Sequence, residues 1–139
     1  EARTALLLAA SYRNPDCARQ LIDAKTCLDA KDGDGKTALI RAVHSSEMRC
    51  VRLLIDAKAD LDVEDDDGGT ALMSAVYNGD TDCVQLLVDA RADILSTNRK
   101  GRNALMLAAE GGHSACVRLF LTQDAYLYID RNGDVPFPL

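Results

Sequence analysis

The chain is 139 residues long, enough for one compact domain or a short array of repeats. Its apolar fraction of 47% is ordinary, but aromatics reach only 4% and Trp is absent, so Ala, Leu, Val and Ile must fill any core. A net charge of -6, with an isoelectric point near 4.8, argues against general affinity for nucleic acid or an anionic membrane, and no apolar run approaches the ~18 residues of a membrane span.

The start, Glu1-Ala2-Arg3-Thr4, shows no initiator Met, basic n-region or apolar h-region, which suggests a piece cut from something longer. Thr4-Ala5-Leu6 opens the first predicted helix, and Asn14-Pro15 reads as a cap followed by Pro at the first position of the second. Thr37 stands before the next apolar run, where its hydroxyl is placed to accept from the orphan N–H groups of a first helical turn. Ala38, Leu39, Ala42 and Val43 then form one helical stripe. A polar break, His44-Ser45-Ser46-Glu47, separates it from a second stripe of Cys50, Val51, Leu54 and Ile55. The polar stretch Glu64-Asp65-Asp66-Asp67-Gly68-Gly69 reads as a hairpin-like turn closing on Thr70.

This pattern recurs. Thr4-Ala5-Leu6, Thr37-Ala38-Leu39, Thr70-Ala71-Leu72 and Asn103-Ala104-Leu105 are spaced by 33 residues, as are Cys17, Cys50, Cys83 and Cys116, and Gly35, Gly68 and Gly101. Helices of about ten residues are too short to be stable alone in water. Stacking unit on unit is what buries both stripes.

Among chemistries, the cysteines invite a metal or a disulfide. Equivalent positions in stacked units lie about 8–10 Å apart, beyond the roughly 7 Å Cα reach of a disulfide, and no paired C-x-x-C ligand motif is present. Cys17, Cys50, Cys83 and Cys116 are therefore expected as a ladder of buried free thiols, with Cys27 the more accessible one in a loop. That usage favours a reducing cellular interior, cytoplasmic or nuclear. His44 and His113, 69 residues apart, are too distant to share a metal. Asp65-Asp66-Asp67 lacks the layout of a calcium loop and reads as a solvated turn. No catalytic motif, cofactor loop or metal site is legible, so the reading is of a non-enzyme without cofactor.

The stretch Gly35-Lys36-Thr37-Ala38-Leu39-Ile40-Arg41-Ala42-Val43, its copy from Gly68 to Val76, and Gly101 through Gly111-Gly112-His113 resemble the ankyrin repeat, whose signature is G-x-T-P-L-H-x-A-A-x-x-G-H in a 33-residue unit. The resemblance covers the chain and implies an all-α solenoid of helix-turn-helix units joined by β-hairpin-like loops. Its units are residues 1–31, 32–64, 65–97 and 98–129, with 130–139, around Gly133-Asp134-Val135-Pro136-Phe137, the start of a fifth or a cap. The signature His is replaced by Leu7, Ile40, Met73 and Met106, which puts packing in place of a polar tie between units. The Gly that usually ends the second helix is replaced by Lys25, Lys58, Arg91 and Asp124; left-handed backbone there costs roughly 1 kcal/mol per residue. His113 falls where a family His helps fix the turn between helices.

The family implies a protein partner on the concave face of hairpin tips and first helices. Carried over by position, the tips are Asp34 and Lys36, then Asp66, Asp67 and Gly69, then Arg99, Lys100 and Arg102. The first-helix positions are Leu8, Ser11 and Tyr12; Arg41, His44 and Ser45; Ser74, Tyr77 and Asn78; Leu107 and Glu110. An acidic tip precedes a basic one, and Tyr12 and Tyr77 are the expected anchors. No nucleic acid or membrane partner is implied. Two other readings stand beside this one. The array is the targeting or regulatory arm of a larger enzyme such as a protein kinase, since the C-V-R-L-L flavour of its second helices is similar to protist ankyrin families fused to kinase-like domains. Alternatively it is a structural spacer that self-associates end to end through exposed terminal repeats.

Overall fold

The computed structural model describes residues 2–132, with side chains for 4–123. Eight helices follow in pairs: α1 (Ala2–Ser11) and α2 (Pro15–Asp23), α3 (Ala38–His44) and α4 (Met48–Asp56), α5 (Ala71–Tyr77) and α6 (Thr81–Asp89), α7 (Ala104–Glu110) and α8 (Ser114–Asn132). There is no strand among the described residues. The first helices pack in one row, α1 on α3, α3 on α5 and α5 on α7, and each is paired with its own second helix.

Local chemistry sets each boundary. Thr37 and Thr70 accept from Ile40 N and Met73 N at 3.3 Å, and Asn103 does the same for Met106 N at 2.9 Å. Second helices start on Glu47, which accepts from Arg49 N, and on Asp80, which accepts from Cys83 N; Asn14 makes no such bond. They end in left-handed residues, Lys25 (φ 59°), Lys58 (φ 67°) and Arg91 (φ 71°), at the places where the family carries Gly. Ala59 N then reaches Leu54 O and Ala92 N reaches Leu87 O, both at 3.0 Å, satisfying carbonyls of the last turn. In the first unit the hydroxyl of Thr26 donates to Leu21 O instead, at 3.1 Å. The turns between paired helices are also left-handed, with Gly79 and Gly112 in two units but Arg13 (φ 60°) and Ser46 (φ 55°) in the others.

The core is the expected one of small and aliphatic residues, and it includes Leu39, Ala42, Val43, Cys50, Val51 and Leu54, with Ile55 only half-buried. Two expectations need correcting. Cys17 is exposed, not buried with Cys50, Cys83 and Cys116, because its side of α2 is the one on which a preceding unit would stack. The second helix of unit four does not end near Asp124: α8 runs 19 residues to Asn132. In units two and three the loop that follows left-handed Lys58 and Arg91 is held by an aspartate: Asp60 Oδ1 accepts from Asp62 N, and Asp93 Oδ1 from Leu95 N. The two positions held by Asp60 and Asp62 are Tyr126 and Tyr128 in unit four, and no Gly or Pro intervenes before Gly133. Nothing there stops the helix. The proposed start of a fifth unit, from Gly133 onward, lies outside the described residues.

Candidate interaction surface

The tips are built by one side chain per unit. Asp32 Oδ1 accepts from Asp34 N and Lys36 N, Asp65 Oδ1 from Asp67 N and Gly69 N, and Asn98 Oδ1 from Lys100 N and Arg102 N, all at 2.7–3.0 Å. These bonds explain why an acidic run holds a tight turn: the first carboxylate of Asp65-Asp66-Asp67 spends itself on backbone donors. Successive tips are joined by Asp66 N donating to Asp34 O and Arg99 N to Asp67 O, at 3.2 and 3.1 Å. Gly35 and Gly68 permit that approach. Both are left-handed, and a Cβ on either would sit 2.8 Å from Asp66 N or 2.9 Å from Arg99 N.

Opposite the helices' starts, a parallel ladder joins the loops between units. Asp29 accepts from Asp60 N at 2.9 Å and Asp62 from Asp93 N at 2.8 Å. The sequence reading missed this ladder, although Leu28-Asp29 and Leu61-Asp62 recur with the same period of 33. It also missed Ser45 Oγ donating to Ala10 O (3.0 Å) and Asn78 Nδ2 to Val43 O (2.8 Å), which tie the C-terminal ends of neighbouring first helices.

Several residues expected at the contact face are engaged within the molecule. Arg41 donates to Asp32 at 2.6 Å and pairs with Asp34 at 2.9 Å. Burial pushes the Asp32 carboxyl up, but donors from Lys36 N, Arg41 and Asp34 N outweigh it and hold the group below the usual carboxylate value. The same two carboxylates overcome burial and keep the Arg41 guanidinium more firmly protonated. Arg102 and Glu110 pair across unit four. His44 Nε2 lies 3.1 Å from Ser74 Oγ, a polar tie between units two and three where the signature His is absent. Burial, then Lys36 and Arg41, lower the His44 pKa against an opposing pull from Asp65, which favours the neutral ring. Ser74 itself is only 6% exposed and Leu107 5%, so neither lies on the surface where the repeat position suggested.

The remaining positions are open to solvent. Tyr12 and Tyr77 are 72% and 68% exposed, and Leu8, one helical turn before Tyr12, is exposed too. Asp66, Asp67, Arg99 and Lys100 are exposed, Lys36 is half-buried, and none of these five forms an ion pair among the described residues. His113 packs over the turns: a Cβ on Gly79 would meet its ring at 3.0 Å and one on Gly111 at 2.6 Å, so it spans unit three and its own unit. Among the described residues no group of three or more His, Cys, Asp or Glu converges as a metal site would require.

Short helix pairs stacked by repeated caps, ties and tips define a helical repeat solenoid, a class whose work is done by an extended surface. The family model for ankyrin repeats (three copies) matches residues 1–65 and 49–132, and the chain belongs to the ankyrin-repeat family. Ankyrin repeats generally mediate protein–protein interaction and are typically non-catalytic. No curated protein matches the chain. No helix among the described residues is long and apolar enough to cross a membrane.

Proposed function

We propose that this array binds another protein along the face made by its hairpin tips and the C-terminal ends of its first helices, supplying contact and no chemistry of its own. The observation that carries this reading is the order of unspent charge on that face. Asp66 and Asp67 on one tip are followed by Arg99 and Lys100 on the next, and Arg99 N bonded to Asp67 O fixes their spacing. Arg41, Arg102 and Glu110, neutralised at home, serve instead as stiff walls. Tyr12 and Tyr77 offer large amphipathic surfaces at little entropic cost. The partner is then a protein whose contact strip carries basic residues one repeat away from acidic ones.

The test is association kinetics with a captured partner, using Arg99→Glu/Lys100→Glu beside the unaltered array. The reversed pair is expected to slow association at low salt by roughly tenfold or more, with the difference shrinking as salt rises. An unchanged on-rate would remove the charge-order reading. Tyr77→Ala is expected to act on dissociation instead.

A further inference from the structure

A second feature lies on the other side of the array, away from the tips. Between α2 and α4 runs a groove of about 180 Å³ lined by Pro15, Asp16, Arg19, Arg49, Arg52, Leu53 and Asp56. Three guanidinium groups gather there against two carboxylates, a local excess of positive charge on a chain of net charge -6. All three arginines are exposed, while Leu53 and Pro15 form a half-buried apolar floor.

The repeat itself shows that the fold does not need these arginines. One unit on, the places of Arg49 and Arg52 are held by Asp82 and Gln85, and α6 forms a nine-residue helix as α4 does. Gln85 is occupied, donating to Asp89 at 2.8 Å. Arg19 and Arg52, with Asp23 and Asp56 in the equivalent places, form no ion pair among the described residues. Arg49 reaches Asp16 only at 3.5 Å, and both groups are largely exposed, so that contact holds little energy and yields readily to a stronger anion.

We propose that this groove binds a phosphate monoester carried on a side chain of a partner protein. A phosphorylated side chain brings nearly two negative charges and three acceptor oxygens, and guanidinium forks match that geometry in pairs. The groove is open along its length, and the Leu53–Pro15 floor accepts the apolar part of a flanking peptide. The site is independent of the tip-and-helix face.

The experiment follows the Arg Nε–Hε resonances of the labelled chain by NMR at constant ionic strength, with three probes: a phosphoserine tripeptide capped at both ends, its unphosphorylated form, and inorganic phosphate. Saturable shifts of Arg19, Arg49 and Arg52 with the phosphopeptide alone are expected. Arg19→Gln/Arg52→Gln, a change to the residue already present at Gln85, is expected to keep the helical circular dichroism and weaken binding roughly tenfold or more. Tyr77→Ala is expected to leave it unchanged, which separates this site from the tip face. Shifts that do not saturate, that persist in the double variant, or that appear equally with the unphosphorylated peptide overturn the proposal. Inorganic phosphate binding as tightly as the phosphopeptide overturns the protein-borne source.

Discussion

Cys17 and Cys50 stand at the same place in successive units, third in a nine-residue second helix, yet Cys17 is exposed and Cys50 has no exposed surface at all. Nothing in their own helices accounts for this. Cys50 is covered because α2 packs against α4, and among the described residues no helix pair stacks on the corresponding side of Cys17. Burial in this molecule is therefore a property of pairs of units, while capping and turn geometry belong to each unit alone. The comparison of end with interior separates the two kinds of interaction.

Thiol labelling shows the largest contrast. At pH 8 and without denaturant, Cys17 and Cys27 are expected to react with an aromatic disulfide reagent at the rate of a free thiol. Cys50 and Cys83 should react on the order of a thousandfold more slowly, limited by opening of the array. Chemistry adds to access here. Burial pushes the Cys50 thiol up to about 11 and the Cys83 thiol to about 12, from an ordinary 9.0. The fold thus prefers the protonated thiols: the stability they contribute is whole below about pH 9 and is lost as pH rises toward those raised values. Protection of Cys50 and Cys83 should accordingly fall between pH 9 and 11. Fast labelling of Cys50 at pH 8 would mean that the first two units are not stacked.

The legibility of the sequence divides along the same line. The 33-residue period exposed the helix pairs and the caps Thr37, Thr70 and Asn103, and the family resemblance marked Lys25, Lys58 and Arg91 as left-handed sites, though it marked Asp124 inside α8 as well. It was silent on what depends on a neighbour's presence, which is why Cys17 was placed in the core. The candidate face was harder to read. Position in a repeat says that Ser74 and Arg41 occupy equivalent sites, but a short hydroxyl tied to His44 becomes buried while a long guanidinium reaches Asp32 and Asp34. Which charges remain unspent follows from reach and partners, and those are three-dimensional quantities. Unit four gives the same lesson in its loop, where Tyr126 stands in the place of the loop-holding Asp60 and Asp93 and α8 continues.

The tip glycines give a contrast of intermediate size. Gly68 and Gly101 have nearly identical φ, 75° and 76°, but Gly68 lies under the next tip whereas a Cβ on Gly101 meets nothing within 4 Å among the described residues. Gly101→Ala is expected to cost about 1 kcal/mol, the price of a left-handed conformation for a residue with a Cβ. Gly68→Ala must in addition push Arg99 N away, and is expected to cost at least ~1 kcal/mol more. Urea denaturation of the two variants measures the difference. Equal losses would show that the tip-to-tip hydrogen bond is not tight in solution.

Lys25 and Lys58 take the comparison to its limit, where position should stop mattering. Both end a second helix in left-handed backbone, φ 59° and 67°, one in the first described unit and one between two described units. The strain is confined to the residue's own peptide units, since the clash is between its Cβ and the following carbonyl. Replacing either by Gly removes that clash but frees the unfolded chain, so each substitution is expected to stabilise by only about 0.5–1 kcal/mol. The gain should be the same at both sites, provided unfolding is a single cooperative transition. A gain at Lys58 alone would instead show that unit one unfolds separately, because a stabilised segment outside the cooperative block adds nothing to the block's midpoint.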